Sequence, residues 1–85
     1  MSLKANQLIP GKLYRLDKGN RSLYAEPEPY NHIGYVHCSL IILVVDAEEI
    51  METNGQHSGW KVQMVVANLG IGWMDCWNTE FKAVK

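Results

Sequence analysis

The sequence predicts a small all-β domain, a five-stranded barrel, and three observations lead to that prediction. The apolar residues occur in short stretches, several of which alternate with polar residues as in a strand with one buried face. Turn signals separate these stretches at Pro10-Gly11, at "DKGN" (17–20) and at Asn68-Leu69-Gly70. The chain has only 85 residues, so we expect one domain, residues 1–85, in which a closed or partly open barrel limits exposed strand edges.

The beginning of the chain is predicted to hold an arm and a first strand. We expect residues 1–9 to form the N-terminal arm, part of it derived from expression. After the Pro10-Gly11 turn, "GKLYRL" (11–16) is a strand whose alternate side chains share a face. The two resulting pairs are Tyr14 with Leu16 and Leu13 with Arg15.

A long loop is predicted next. "RSLYAE" (21–26) is a second short extended piece, and "PEPYNHIG" (27–34) contains two prolines and no periodicity. Because proline removes a ladder donor and restricts the residue before it, we interpret 27–34 as a loop.

"YVHCSLIILVV" (35–45) is the strongest predicted strand, and its stretch 40–45 is apolar on both faces. A small barrel has only one interior, so one of two sets must be covered by something else. Either the segment 46–59 folds over it or a second chain does, and we expect a homodimer or larger homo-oligomer centred on this strand. The two sets are Leu40, Ile42 and Val44, and Ile41, Leu43 and Val45.

The segment "DAEEIMETNGQHSG" (46–59) allows two interpretations. Asp46 followed by Glu49 has the spacing of a capping box, which favours a loop with one helical turn. The alternative is a strand extension followed by a turn at Asn54-Gly55. We prefer the loop.

The last third of the chain is predicted to form a hairpin and a closing strand. "WKVQMVV" (60–66) alternates as a half-buried strand, and "IGWMDCW" (71–77) returns antiparallel to it. A short helical turn at 78–80 precedes the last strand at 81–85. The core residues that these patterns predict are Ile42, Val44, Val62, Met64, Ile71 and Trp73.

Charge and cysteine content exclude several classes of protein. The net charge is −1, which does not favour nucleic-acid binding by the whole chain. The charges are unevenly distributed, since Lys and Arg dominate residues 1–25 whereas residues 26–59 carry acids alone; such a dipolar surface favours self-association or a basic partner.

Neither a secretory nor a membrane protein is expected from this sequence. The N-terminus lacks the apolar stretch of a signal peptide, and "LIILVV" is too short to span a bilayer. Cys38 and Cys76 form no CxxC pair, and the three histidines lack metal-ligand spacing. We therefore expect a cytoplasmic, non-enzymatic protein with reduced thiols and without a metal or cofactor.

The order of these elements resembles the Src-homology-3-like barrels. "GKLYRL" looks like their first strand, "YAEPEPYNHIG" their long first loop, "LIILVVD" their second strand, "GWKVQMVVANLG" their third strand and hairpin, and "IGWMDCWNTEFKAV" their closing segment. The Ala-Leu-Tyr-Asp-Tyr motif, the tryptophan pair and the Pro-x-x-Tyr of the eukaryotic peptide-binding members are absent. The chain is therefore more similar to the stand-alone barrels of bacteria and their phages.

The resemblance implies a binding site between the first loop and the closing turn, which lie side by side in this fold. Aromatic rings with a carboxylate rim suit a proline-rich or basic peptide. The alternative role for these rings is to complete the core of a small barrel. The residues of the expected partner site are Glu26, Glu28, Tyr30, Tyr35 and Trp77.

The function we expect is a protein-interaction or assembly module, with itself or another protein as the partner. The alternative is a nucleic-acid-binding barrel in which Tyr14 or Tyr24 stacks on bases. Its phosphate contacts would come from the basic residues around the first strand and turn, Lys12, Arg15, Lys18 and Arg21.

Overall fold

The computed structural model of the chain describes residues 2–26, 31–51, 58–76 and 79–84. These residues form an all-β fold, as predicted, with one 3-10 turn at Ala5–Gln7. The strands are β1 (Leu3–Lys4), β2 (Leu13–Leu16), β3 (Asn20–Tyr24), β4 (His32–His37), β5 (Ile42–Met51), β6 (Ser58–Val66), β7 (Gly70–Asp75) and β8 (Glu80–Ala83).

All eight strands belong to one antiparallel sheet, in the order β1-β8-β2-β5-β6-β7-β3-β4. The sheet has to be strongly curled. β2 and β3 are joined only by residues 17–19, which span at most about 14 Å from Leu16 to Asn20. In the sheet order β5, β6 and β7 lie between them, a separation of about 19 Å along a flat sheet. Curling gives the sheet an inner face, which holds the core, and an outer face.

The prediction of five strands in a closed or partly open barrel is wrong in the strand number and in closure, because the described residues form an open sheet of eight strands. The single strand predicted at 35–45 is also wrong, because residues 35–37 belong to β4, the chain turns at 38–41, and β5 begins only at Ile42. The strands that correspond to the five predicted ones are β2, β5, β6, β7 and β8, and they are contiguous in the sheet. The additional pairing comes from β1 and from the hairpin of β3 and β4. β4 begins at His32, inside the segment interpreted as a loop, because the prolines of that segment precede it.

Both ends of the described chain join this sheet. Leu3 pairs with Phe81, and Ala5 and Leu8 are buried, so the segment expected to be an arm contributes to the core. The helical turn expected at 78–80 is not seen in its described part, since β8 begins at Glu80. Residues 77–78 lie outside the described residues.

The interpretation of 46–59 as a loop with a helical turn is also wrong in its described part. β5 runs on to Met51 and pairs with β6 from Ser58, which is the strand-extension alternative. A β-bulge interrupts the pairing between Val44 and Asp46, and the Asp46 carboxylate accepts a hydrogen bond from the Ala47 N–H at 2.9 Å. The Asn54-Gly55 turn falls outside the described residues.

One continuous core lies on the inner face. It confirms the prediction for Ile42, Val44, Val62 and Met64, which are at most 1% exposed. The remaining buried apolar residues are Ala5, Leu8, Tyr14, Leu16, Leu23, Val36, Val66, Met74, Cys76 and Phe81.

The prediction was wrong for two residues of β7. Ile71 is 54% exposed and Trp73 is only half-buried. Met74 pairs with Val62 and Gly72 pairs with Met64, and directly paired residues point to the same face of a sheet. Because Val62 and Met64 face inward, Gly72 and Met74 must do so too, and Ile71 and Trp73 face outward.

Gly72 explains why the inward side of β7 carries so little apolar volume. A Cβ at this position would lie 2.8 Å from both Leu23 Cγ and the Tyr24 carbonyl oxygen. The absence of a side chain therefore lets β3 pack closely over β7. Gly70 has a different role, since its φ of 91° is the left-handed conformation that the turn after β6 requires.

Candidate interaction surface

The most distinctive feature of the outer face is a row of aliphatic side chains that crosses four neighbouring strands. Leu13 pairs with Leu43, Leu43 pairs with Val65, and Val65 pairs with Ile71. Each is substantially exposed, at 43%, 37%, 38% and 54% respectively. We call these four residues the outer row. Cross-strand pairing makes it one connected apolar surface rather than four isolated residues.

Two further apolar residues widen the outer row on either side of Leu43, one just before β5 and one within it. Ile41 is 41% exposed and Val45 is 40% exposed. The sequence predicted that one set of this strand needs covering by something other than the barrel interior, and the structure identifies it as Ile41, Leu43 and Val45. Sequence reasoning missed Leu13, Val65 and Ile71 as their neighbours, since only the register of four strands reveals that alignment.

Opposite charges flank the outer row along the strands. Arg15 lies beyond Leu13 on β2 and pairs with Lys82, whose ammonium also contacts the Asp17 carboxylate at 3.3 Å. Because β2 and β5 are antiparallel, the acidic residues of β5 that follow Val45 lie on the opposite side of the row. Asp46 and Glu48 are exposed there.

A third carboxylate lies on the acidic side, on β7. Lys61 of β6 pairs with Glu48 on one side and with Asp75 on the other. Two acids therefore flank Lys61, and Asp46 lies opposite the neighbouring Gln63. This end of the outer face carries three acids and one base, which gives it an acidic character.

The predicted peptide site is only partly within the described residues, since Glu28, Tyr30 and Trp77 lie outside them. Tyr35 is 64% exposed on β4. Glu26 is exposed beyond the end of β3 and accepts a hydrogen bond from the Asn31 side-chain amide at 3.2 Å. Since Tyr35 pairs with Ser22, the two predicted residues lie about 13 Å apart along the hairpin.

Tyr35 instead belongs to an aromatic cluster that the sequence did not indicate. The His32 ring makes edge-on contacts with Tyr24 and Tyr35, at centroid distances of 5.4 and 4.8 Å. A shallow cavity of about 260 Å³ adjoins Tyr24 and Tyr35. Its other lining residues are Asn20, Arg21, Ser22 and Asp75.

The four basic residues of the nucleic-acid alternative are not gathered into one basic surface. Lys18 and Arg21 line a polar cavity of about 220 Å³, but Asp17 and Glu80 line it as well. Lys12 and Arg15 are not among its lining residues: Lys12 precedes β2, and Arg15 lies on the strand next to Lys82.

One of the two proposed stacking residues is unsuitable for that role. Tyr14 is only 3% exposed, and its hydroxyl oxygen accepts a hydrogen bond from the Ile9 N–H at 2.9 Å. Tyr24 is half-buried and lies against His32. No described residue therefore combines a free aromatic face with a neighbouring pair of unopposed cations.

The side chains of the neighbouring residues Cys38 and His37 lie close together, with Sγ 3.9 Å from Nδ1. This contact lies in an exposed turn. The Nδ1 atom already accepts a hydrogen bond from the Ser39 N–H at 3.1 Å, and the Ser39 hydroxyl is 2.9 Å away. Because the lone pair of Nδ1 is engaged by the backbone, His37 is poorly placed to take a proton from Cys38.

Both cysteines are free thiols. Cys76 is buried, and its Sγ donates to the Met74 carbonyl oxygen at 3.6 Å. Desolvation raises the pKa of the Cys76 thiol far above its ordinary value, and the charge of Asp75 raises it further. The thiolate that reacts with oxidants and metals is therefore strongly disfavoured at this position.

Within the described part of the chain, three or more His, Cys, Asp or Glu side chains nowhere gather in a way that could hold a metal ion. The same residues contain no helix with the length and apolarity needed to cross a membrane. Comparisons with family models, with curated proteins and with solved structures gave no match to this chain.

Proposed function

We propose that this protein is a non-enzymatic protein-interaction or assembly module that docks its partner on the outer row. The observation that carries the proposal is the register of the sheet, which aligns Leu13, Leu43, Val65 and Ile71 across four strands while leaving each of them exposed. Covering these side chains removes apolar surface from water, which is the main driving force of protein association.

The charge pattern supports a second copy of the chain as the first partner to test. A two-fold axis along the outer row would place each chain's Arg15 side over the acidic side of the other chain. Asp46 and Glu48 lie on that acidic side. Such complementarity steers association and fixes its orientation.

The resemblance to stand-alone bacterial or phage barrels of the Src-homology-3-like family is part of this proposal. Its support is the contiguous order β8-β2-β5-β6-β7, which contains the five expected strands. The hairpin of β3 and β4 occupies the region of the expected first loop. A cytoplasmic location belongs to the same interpretation.

Light scattering on the wild type and two variants tests the proposal. Leu43→Glu places a charge in the middle of the outer row, and Asn6→Glu adds the same charge at an exposed position of the 3-10 turn as the control. We expect the wild type and Asn6→Glu to associate at tens of micromolar, and Leu43→Glu to be a folded monomer at the same concentration.

A strictly monomeric wild type contradicts the self-contact and leaves another protein as the expected partner. Affinity capture with the same three proteins then decides the docking surface. A partner captured by the wild type and Asn6→Glu but lost with Leu43→Glu supports the outer row. Equal capture by all three contradicts it.

A further inference from the structure

The two edges of the sheet are protected to very different degrees. β1, at one edge, is two residues long and carries Lys4. β4, at the other, has six residues, "HIGYVH", without Lys, Arg, Asp, Glu or Pro. Short length, charge and proline are the usual means of keeping an edge strand from pairing. β4 has none of them.

The register identifies which backbone groups of β4 point away from the sheet. The Cys38 N–H donates to the Gly19 carbonyl oxygen at 3.0 Å, next to the pair of His37 and Asn20. In an antiparallel ladder, hydrogen-bonded and non-hydrogen-bonded pairs alternate. Val36 and Gly34 therefore bond to β3, whereas both backbone groups of Tyr35 and the N–H of His37 point to the free edge. The His37 C=O accepts a hydrogen bond from the Leu40 N–H at 2.9 Å.

We propose that β4 pairs antiparallel with β4 of a second copy, about a two-fold axis at Val36. In this register Tyr35 lies opposite the partner's His37, and His37 lies opposite the partner's Tyr35. In each pair the His37 N–H donates to a free Tyr35 C=O, which gives two N–H···O=C hydrogen bonds. Each Tyr35 N–H meets a His37 C=O that keeps its bond from Leu40 and accepts through its second lone pair. An axis at Tyr35 would give a less regular ladder, because it would place His37 opposite the partner's Ile33, where the pairing of β4 is irregular.

The side chains of β4 favour a second copy as the occupant. Two identical charged edges would repel one another when directly paired, but β4 carries no Lys, Arg, Asp or Glu. The Tyr35 side chain, which is 64% exposed, would lie beside the ring of the partner's His37 on the outer face. Cross-strand aromatic pairs of this kind stabilise sheets.

This contact is separate from the outer row. β3 lies between β4 and the nearest strand of the row, β7. Failure of one contact is therefore distinguishable from failure of the other. Two different two-fold contacts on one chain also link copies into an open chain rather than a closed dimer.

The test uses the Leu43→Glu background, in which the outer row is disabled. Tyr35→Pro removes a backbone donor that bonds to nothing in the isolated sheet, and proline is tolerated at an edge strand. Tyr35→Ala is the matched control, because it removes the ring and keeps the donor. A contact of this size is weak, so sedimentation is followed from roughly 10 μM to 1 mM.

We expect Leu43→Glu to form a dimer as its concentration rises. The Leu43→Glu/Tyr35→Pro protein should stay monomeric, and the Leu43→Glu/Tyr35→Ala protein should retain a weaker dimer. Amide hydrogen exchange gives a readout that needs no change in β4. The Tyr35 and His37 amides should exchange at least tenfold more slowly at the highest concentration, whereas those of Gly34 and Val36 should be slow throughout.

Three results would overturn the proposal. One is a monomer at every concentration with rapid exchange at Tyr35 and His37, even if an added peptide then binds this edge. Another is a dimer that persists in the Tyr35→Pro protein. The third is slow exchange of the Tyr35 amide in the dilute monomer, which would mean that the edge is already paired within the chain.

Discussion

The two faces of β5 make the most instructive comparison in this molecule. Ile42 and Val44 are at most 1% exposed, whereas Leu43 and Val45 are 37% and 40% exposed, although all four come from one apolar run. Composition does not distinguish the two sets. The register with β2 and β6 does, since it turns the first set into core and aligns the second with apolar residues of neighbouring strands.

The largest expected effect comes from placing a charge on each face of β5. Ile42→Glu buries a carboxylate in the core without a partner, which costs more than the stability of a domain of this size. Leu43→Glu leaves its carboxylate in water and should stay folded. Circular dichroism and thermal melting check both variants. A cooperative melt for Ile42→Glu, or an unfolded Leu43→Glu, would contradict the assignment of the faces.

Truncations on β7 sharpen the same comparison. Met74→Ala creates a cavity under a residue that is 1% exposed, and we expect a loss of about 2–5 kcal/mol of unfolding free energy. Trp73→Ala should cost less despite the larger side chain, because Trp73 faces outward and is half-buried. Urea unfolding measures both. A larger loss for Trp73→Ala than for Met74→Ala would return Trp73 to the core.

Two glycines provide a smaller contrast. Gly72→Ala brings a methyl group against the Tyr24 carbonyl oxygen, a backbone atom that cannot move alone, and should cost about 1–3 kcal/mol. At Gly34 the nearest atom is the flexible tip of Leu69, at 3.0 Å, so Gly34→Ala should be close to neutral. Equal unfolding midpoints in urea for the two variants would show that β3 does not pack tightly over β7.

Tyr14→Phe tests the inner face at the level of one hydrogen bond. It keeps the buried ring and removes the hydroxyl that accepts from the Ile9 N–H. We expect the free energy of unfolding to fall by about 1 kcal/mol. Leu13, its outward neighbour, makes the control: Leu13→Ala should change the melting temperature less. A melting temperature that falls less for Tyr14→Phe than for Leu13→Ala would show that this hydrogen bond contributes little to stability.

The smallest effect is electrostatic and lies at the surface. The hydrogen bond from Lys82 is the main cause that holds the pKa of Asp17 below its ordinary value, and the Ser2 hydroxyl and the charge of Lys18 assist. Because the pKa of Asp17 is lower in the folded than in the unfolded protein, its ionised carboxylate stabilises the fold at any pH above the unfolded-state pKa. This stabilisation is lost as the pH falls through the folded-state pKa. Lys82→Met should therefore lower the melting temperature slightly near neutral pH and not in strong acid. The same small decrease in melting temperature at both pH values would contradict a stabilising interaction between Lys82 and the ionised Asp17.

Part of the fold was predictable because period-two alternation identifies strands and their faces. It correctly paired Tyr14 with Leu16 and grouped Val62 with Met64. It could not decide which face of β7 is inward, since Ile71 and Trp73 are more apolar than Gly72. That choice depends on the close approach of β3, which is a tertiary contact.

The outer row was likewise predictable only in part. The sequence showed that "LIILVV" has one apolar set too many for a small barrel interior. It did not show that Leu13, Val65 and Ile71 extend this set across the sheet, because the alignment depends on pairing between distant segments. The free backbone groups of β4 were hidden in a similar way, because the sequence placed Tyr35 and His37 in one strand with residues 38–45, whereas the structure turns the chain between β4 and β5.

The most direct test of the outer row as a docking surface is the relaxation of methyl groups by a soluble paramagnetic probe. The methyl groups of Leu43 and Val65 should relax strongly in dilute protein and become shielded when a second copy or a captured partner binds. Those of Ile42 and Val44 should be shielded under every condition. Leu43 and Val65 methyl groups that relax equally with and without the bound partner would contradict the account.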